Sequence, residues 1–307
     1  MDTSVNGSQT GAIRLSRSEK ACCLRKHCRP RLADTVRRKP HVTNILPSRR
    51  FILALALRLC GLWLVLVLLL SVGCFLSPEA TAVRTLRFAG FLWHVRSGHG
   101  DPGANRWSSD GENVWVDDSG QLHLRIRYVN GRWYCSEVYL PISLGYGRYV
   151  FHVGGAIDSL KPMVVVGLFL YQSDRNELDI EFSRWADPSR TNNAQYVVWP
   201  ADLQGHLHAF SFSRSESDSV HVIEWTAEAI RFRSAVGNNT GSLAGEHVVQ
   251  DWTYPGSSRE ALVLGQERVH INLWLYGGWL AAWKYGRSCD QEIVVTSFEF
   301  TPLSPTK

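Results

Sequence analysis

The chain has 307 residues, 45% of them hydrophobic, enough for one large globular domain or two small ones. Its net charge of +5 is unevenly placed: residues 1–50 hold 12 Lys/Arg against 3 Asp/Glu, whereas residues 77–307 hold 20 against 25. The basic excess therefore belongs to the N-terminal segment, and the acidic remainder argues against nucleic acid as the partner of the folded part.

Residues 1–50 are polar, Arg-rich and without apolar periodicity, and read as a disordered basic tail. Cys22, Cys23 and Cys28 lie there beside His27. Their spacing lacks a paired C-x-x-C and no second ligand cluster follows, so no metal site is expected. Next comes "LCGLWLVLVLLLSVGCFL", Leu59 to Leu76, 18 residues without a charge and near the lower limit for spanning a bilayer. Extended back to Phe51 it takes in Arg58, which can snorkel to the interface. The segment 51–76 is thus expected to be a transmembrane helix. The positive-inside rule then puts the tail in the cytoplasm and the C-terminal domain outside. A cleaved signal peptide, or a loose lipoprotein signal with Cys74 as the lipid-bearing residue, would export the same domain.

Residues 77–87 read as a linker, and 88–307 as the exported domain. From about Phe88 to Pro302 the pattern is β throughout. "NVWVDD", "QLHLRIRYV", "GRYVFHV", "MVVVGLFLY", "ELDIEF", "AQYVVWP", "LHAFSFSRS", "SVHVIEWTA", "AIRFRSAV", "RVHINLWLY" and "EIVVTSFEFTP" are strand candidates, broken by Gly, Asn, Asp and Ser turns. So many short strands without a helical period predict an all-β, two-sheet sandwich. The stretch "HVVQDWTYPGSSREALVLGQE" reads as a long connecting loop. Of the 12 Trp, 11 lie after residue 90, which suits a large β core or a surface that stacks on sugar rings. Cys135 and Cys289 are the only cysteines of this domain and are candidates for one disulfide in an oxidising compartment. The sequon "NNT" begins at Asn238.

Within "RNELDIEFSRW", Glu177, Asp179 and Glu181 alternate with Leu178, Ile180 and Phe182. In a strand, residues two apart share a face, so the three acids project from one side and the three apolar residues from the other. Like charges side by side are destabilising. Such a row is therefore either a solvated strand face, a Ca²⁺ site, or a set of carboxylates that do chemistry. Calcium usually draws its ligands from curved loops rather than one straight strand. The Cα atoms of Glu177 and Glu181 are roughly 13 Å apart in an extended strand, whereas retaining glycosidases hold their carboxyl groups about 5–5.5 Å apart. Side chains leaning together on a concave strand would close much of that gap, and neighbouring carboxylates there would share a proton.

These motifs resemble those of glycoside hydrolase family 16, the lichenase, laminarinase and xyloglucan transglycosylase relatives with a concanavalin-like jelly roll. "ELDIEF" matches the family's unbulged E-[IL]-D-[IVF]-E signature. "YCSEVYLPISLGYGRYVFHV", "LHAFSFS…HVIEWTAEAIRFRSAVG" and "RVHINLWLYGGW" resemble three further family stretches in the family's order, so the likeness covers about residues 88–302. The resemblance implies that Glu177 is a nucleophile, Glu181 the general acid and base, and Asp179 their helper. It also implies hydroxyl contacts and ring stacking from Glu137, Asn272 and Trp274. Trp185 and Trp199 follow the acidic strand and are candidates to line the cleft, core packing being the other reading for each Trp. Two departures stand out. Val150, Phe151 and His152 follow Tyr149 where the family often has Glu-x-Arg, and Arg175 and Asn176 occupy an approach where many members place Trp. Arg175 would favour a charged glycan or neutralise the acidic row.

The expected function is a membrane-tethered, retaining β-glycanase acting on a polysaccharide, with or without transglycosylation and with no cofactor or metal. The alternative is a sugar-binding jelly roll that keeps the fold without turnover.

Overall fold

The computed structural model of the chain describes residues 82–155, 157–213, 218–237, 247–256, 265–278 and 291–303. The basic tail with its three cysteines, the segment 51–76, residues 77–81 of the linker, Asn238 and Cys289 lie outside the described residues. Among the described residues no helix is long and apolar enough to cross a membrane.

These residues form β1 (Thr85–Phe88), β2 (Phe91–Val95), β3 (Gly98–Gly100), β4 (Asn105–Trp107), β5 (Val114–Val116), β6 (Leu122–Val129), β7 (Arg132–Tyr134), β8 (Ser136–Ser143) and β9 (Gly147–Gly154). After a short 3₁₀ turn, Ile157–Ser159, come β10 (Val164–Ser173), β11 (Asn176–Phe182), β12 (Ala194–Val198), β13 (Leu207–Phe210), β14 (Ser219–Trp225), β15 (Ile230–Val236), β16 (Val248–Thr253), β17 (Arg268–Leu275) and β18 (Gln291–Pro302). One eight-stranded sheet runs β1-β2-β8-β17-β10-β11-β12-β13. The other runs β16-β15-β14-β9-β18-β6-β5, with β7 paired to β6, and β3 and β4 form a separate ribbon. Neighbours far apart in sequence, such as β8 beside β17, give the two-sheet sandwich expected from the strand pattern.

Alternation decides which side of each strand is buried. On β11, Leu178, Ile180 and Phe182 face the second sheet and are buried. Cross-sheet ring pairs close the core: Phe182 lies 4.7 Å from His221 of β14, Tyr196 of β12 lies 5.1 Å from Phe232 of β15, and Trp93 of β2 lies 5.4 Å from Phe298 of β18. Each fully buried large side chain contributes about 1.5–3 kcal/mol relative to exposure. A polar network bridges the two sheets inside the core: the Tyr196 hydroxyl donates to Ser234 Oγ at 2.8 Å, and that oxygen also meets His221 Nδ1 at 2.9 Å. Two hairpins close in two residues, Ala89–Gly90 and Asn130–Gly131, all four with positive φ. That is the geometry a type I′ turn requires, and it explains the Asn-Gly pair.

Two boundaries differ from expectation. The first strand begins at Thr85, inside the stretch read as linker. Val248–Thr253, read as part of a loop, is β16, the edge of the second sheet. Trp252 packs on Phe232 at 5.5 Å, while Asp251 pairs with Arg231 at 2.7 Å and Arg233 at 3.1 Å. An edge strand with one charged face carries too little apolar signal to be read from sequence.

Ile180 is fully buried directly behind the acidic row. Ile180→Ala is expected to cost about 2–5 kcal/mol. Urea unfolding should show this as a lower midpoint with unchanged slope; an unchanged midpoint would place Ile180 outside the core.

Candidate active site

The acidic residues sit on the face of β11 opposite its core side, and the registers of the neighbouring strands fix what stands beside each of them. Glu181 lies between Gln195 of β12 and Gly167 of β10, and the same row continues through Asn272 of β17 to Glu137 of β8. Asp179 lies between Val197 and Phe169, in a row that continues to His270, Tyr139 and His94. Glu177 lies beside Tyr171, and Tyr171 beside Arg268. The first sheet thus brings Glu177, Asp179, Glu181, Glu137 and Asn272 onto one surface, although Glu137 and Asn272 are far from the acids in sequence.

Trp199, just past β12, donates its indole N–H to Asp179 Oδ2 at 2.5 Å. Gln195 donates to Glu181 Oε2 at 2.7 Å. Burial first, and the nearby Glu181 charge second, push the Glu177 carboxyl up to about 8, against a hydrogen bond from Asp179 that favours its charged form. Asp179 is raised by burial and by the charges of Glu177 and Glu181, and the hydrogen bond it gives to Glu177 also favours its protonated form. Glu181 is raised by burial, opposed by Gln195 and by the Arg190 charge. The three carboxyls therefore titrate as one coupled row that retains protons at neutral pH, with Asp179 as the donor to Glu177.

Glu137 behaves in the opposite way. Only 3% exposed, it receives Arg96 at 2.6 Å on one oxygen and His270 Nδ1 at 2.9 Å on the other. Burial opposes its charge, but His270 and Arg96 outweigh burial and hold it below the usual carboxylate range. His270 is stacked between Phe169 at 5.0 Å and Tyr139 at 5.3 Å. Asn272 lies over Gly167, where a Cβ would come within 2.5 Å of Asn272 Oδ1, so that strand position has no room for a side chain. Among the described residues Asn272 Oδ1 and His270 Nε2 are buried without a hydrogen-bond partner.

The remaining candidates are distributed around this surface. Trp274 points to the same side by alternation but is only 8% exposed and belongs to the apolar cluster. Trp185 stands in the loop after β11 with φ +47°, followed by Ala186 with φ +63°. Left-handed backbone at two such residues costs of order 1–3 kcal/mol each. Ser183 Oγ accepts the Trp185 N–H at 2.8 Å and Pro162 O accepts the Ala186 N–H at 2.7 Å, which hold the bend. The Arg190 guanidinium lies over the Trp185 ring at 4.1 Å. Arg175 is exposed in the Asp174–Arg175 turn between β10 and β11. Cys135 is buried, and its proposed partner Cys289 lies outside the described residues. No group of three or more potential metal ligands is found among the described residues.

Sequence reasoning missed Gln195, His270, Gly167, Arg96 and Arg190. Gln195 and His270 did carry a signal: each is a polar residue inside an otherwise apolar strand, "AQYVV" and "RVHINLWL". Arg96 and Arg190 carried none, because their roles depend on strand pairing and on a loop bend.

The raised carboxyl of Glu177 is linked to stability. Its folded value of about 8 exceeds the free value of 4.5, so the stability it contributes is full below pH 4.5 and is lost as pH rises through about 8. Glu177→Gln should therefore lose less stability than the native chain between pH 5 and pH 9, read as urea midpoints. Equal losses would contradict the burial of this carboxyl.

No protein-family model and no curated protein matches this chain. Solved structures do. A prokaryotic β-1,3-1,4-glucanase (lichenase) from a mouse hindgut metagenome superposes with TM-score 0.50 at 17% identity, covering 71% of this chain and 96% of that one. A Bacillus licheniformis β-glucanase gives 0.51 at 15%, covering 73% and 100%. An immunostimulatory antigen and pseudo β-1,3-glucanase of Mycobacterium tuberculosis gives 0.52 at 17%, covering 69% and 91%. At these identities the likeness is one of architecture, and it agrees with the motif resemblance: the chain has the jelly-roll fold of glycoside hydrolase family 16.

Proposed function

We propose that this domain is a retaining glycoside hydrolase acting on a β-linked polysaccharide. The observation that carries the reading is the coupled row Glu177–Asp179–Glu181, with Asp179 held by the Trp199 indole and hydrogen-bonded to Glu177. A surface that only bound sugar hydroxyls would have no need to bury three carboxylates side by side.

In the first step Glu177 in its ionised form, with the protons of the row resting on Asp179 and Glu181, attacks the anomeric carbon while Glu181 gives its proton to the glycosidic oxygen. The C–O bond to the leaving sugar breaks, and a covalent glycosyl ester forms on Glu177. In the second step Glu181 takes a proton from water, whose oxygen attacks the same carbon and releases Glu177. An acceptor sugar hydroxyl in place of water gives transglycosylation by the same route. Asp179 supports Glu177 by its hydrogen bond and returns that proton to the row as charge moves. Gln195 orients Glu181. Asn272, Trp185 and Trp199 are the substrate contacts of this reading, Arg175 flanks the nucleophile at the turn, and Glu137, with its oxygens taken by Arg96 and His270, holds the frame of the site. We further propose that the domain acts outside the cytoplasm, tethered by segment 51–76; the basic excess before that segment supports this orientation.

A purified full-length preparation should release reducing ends from at least one member of a panel of β-glucans, β-galactans and xyloglucan. Glu177→Gln and Glu181→Gln should each lower turnover by roughly 10²–10⁴-fold or more. Polysaccharide binding by native protein without turnover of any member would instead make this a sugar-binding domain, the reading that a pseudo-glucanase with the same architecture makes worth testing. The pH profile provides a second check. Because burial raises all three carboxyls, the alkaline limb of kcat/KM should lie well above the free-carboxyl value of 4.5. An alkaline limb at that free value would contradict the shared-proton row.

A further inference from the structure

The cations around the acidic row divide into those already engaged and those that are not. Arg96 is held by Glu137 at 2.6 Å and by the Asp101 carbonyl at 2.7 Å, and lies over Trp107. Arg190 lies over Trp185 and donates to the Asn192 carbonyl at 3.1 Å. Arg268 has, among the described residues, a ring contact alone. Among the described residues no carboxylate lies within ion-pair distance of it, and its guanidinium stands 5.8 Å from the Tyr139 ring on the acidic face. Arg175, exposed at the β10–β11 turn, likewise has no carboxylate partner among the described residues.

The position of Arg268 is set by register. Glu177 pairs with Tyr171, and Tyr171 with Arg268. Two inter-strand spacings separate Glu177 from Arg268, roughly 10 Å between Cα atoms. A glycan crossing the strands from Glu177 passes over Tyr171 and then meets Arg268, with Tyr139 beyond as an aromatic wall. A guanidinium is a planar, permanently charged fork suited to two oxygens of one acidic group. No side chain of the described protein supplies such a group there.

We propose that the cleft takes an anionic glycan and that Arg268 is its specificity-determining residue, pairing with a sulfate or carboxylate on the sugar two strands from Glu177. This rests on the glycan-cleft reading above and names the substrate class within it. Arg175, at the turn next to Glu177, adds long-range attraction for the same polymer, and that contribution is sensitive to salt.

The test measures binding by calorimetry to the full chain carrying Glu177→Gln, so that turnover does not consume the probe. The probes are a sulfated galactan, a β-linked polyuronate and neutral lichenan, each at low and high salt. The sulfated or the uronate probe should bind at least roughly tenfold more tightly than lichenan, the size expected of one charge-assisted hydrogen bond; which of the two wins identifies the acidic group. Adding Arg268→Gln should abolish the preference, and Arg268→Lys should restore part of it. Thermal melts report whether each variant is folded. Lichenan bound as tightly as both anionic probes overturns the proposal and leaves the glycosidase reading standing. So does a preference that survives Arg268→Gln in a folded variant, because the acidic group would then be recognised elsewhere. If no probe binds and the native chain turns none over, both readings fail together.

Discussion

Everything at the candidate site follows from one cost: three carboxyls stand side by side on a single strand, withdrawn in large part from water. Water would relieve their repulsion on an exposed face, but here Asp179 is 4% exposed and its neighbours are half-buried. The surroundings answer with donors. Trp199 bonds Asp179 and Gln195 bonds Glu181, Asp179 donates a hydrogen bond to Glu177, and Arg190 supplies charge near Glu181. The rest of the first sheet provides what this row needs. Leu178, Ile180 and Phe182 fasten its back to the core, and Gly167 leaves room for Asn272 beside Glu181.

The Glu137–His270–Arg96 cluster is the counterpart of that row. There a buried carboxylate is kept charged by two basic partners, whereas on β11 burial first, and for Glu177 and Asp179 the neighbouring charges as well, push the carboxyls up. Two residue sets of the same type, three strands apart in one sheet, are driven in opposite directions by their neighbours. Divergent environments of this kind distinguish carboxylates that hold a structure from carboxylates that exchange protons.

Much of this was legible in the sequence. The alternation of "ELDIEF" fixed both faces of β11, because the side-chain period of a strand admits only one solution when one side is apolar. The all-β architecture was legible for the same reason, from β-branched and aromatic runs such as "MVVVGLFLY". Glu137 and Asn272 were found only through resemblance, since their nearness to the acids depends on β8, β17, β10 and β11 lying side by side, and no local pattern encodes that order. The edge strand β16 was missed because Asp251 and Gln250 mask its alternation. Arg268 went unremarked because an arginine at the start of a strand looks like any solvated end until the register sets it two strands from Glu177.

The central claim is that Glu177 forms a bond to the sugar and that Glu181 twice moves a proton. The stereochemistry of the first product tests this most directly. Proton NMR of the native protein acting on the best substrate of the panel should show the β-anomer appearing first and mutarotating later. Immediate appearance of the α-anomer would mean a single inverting displacement and would contradict the account.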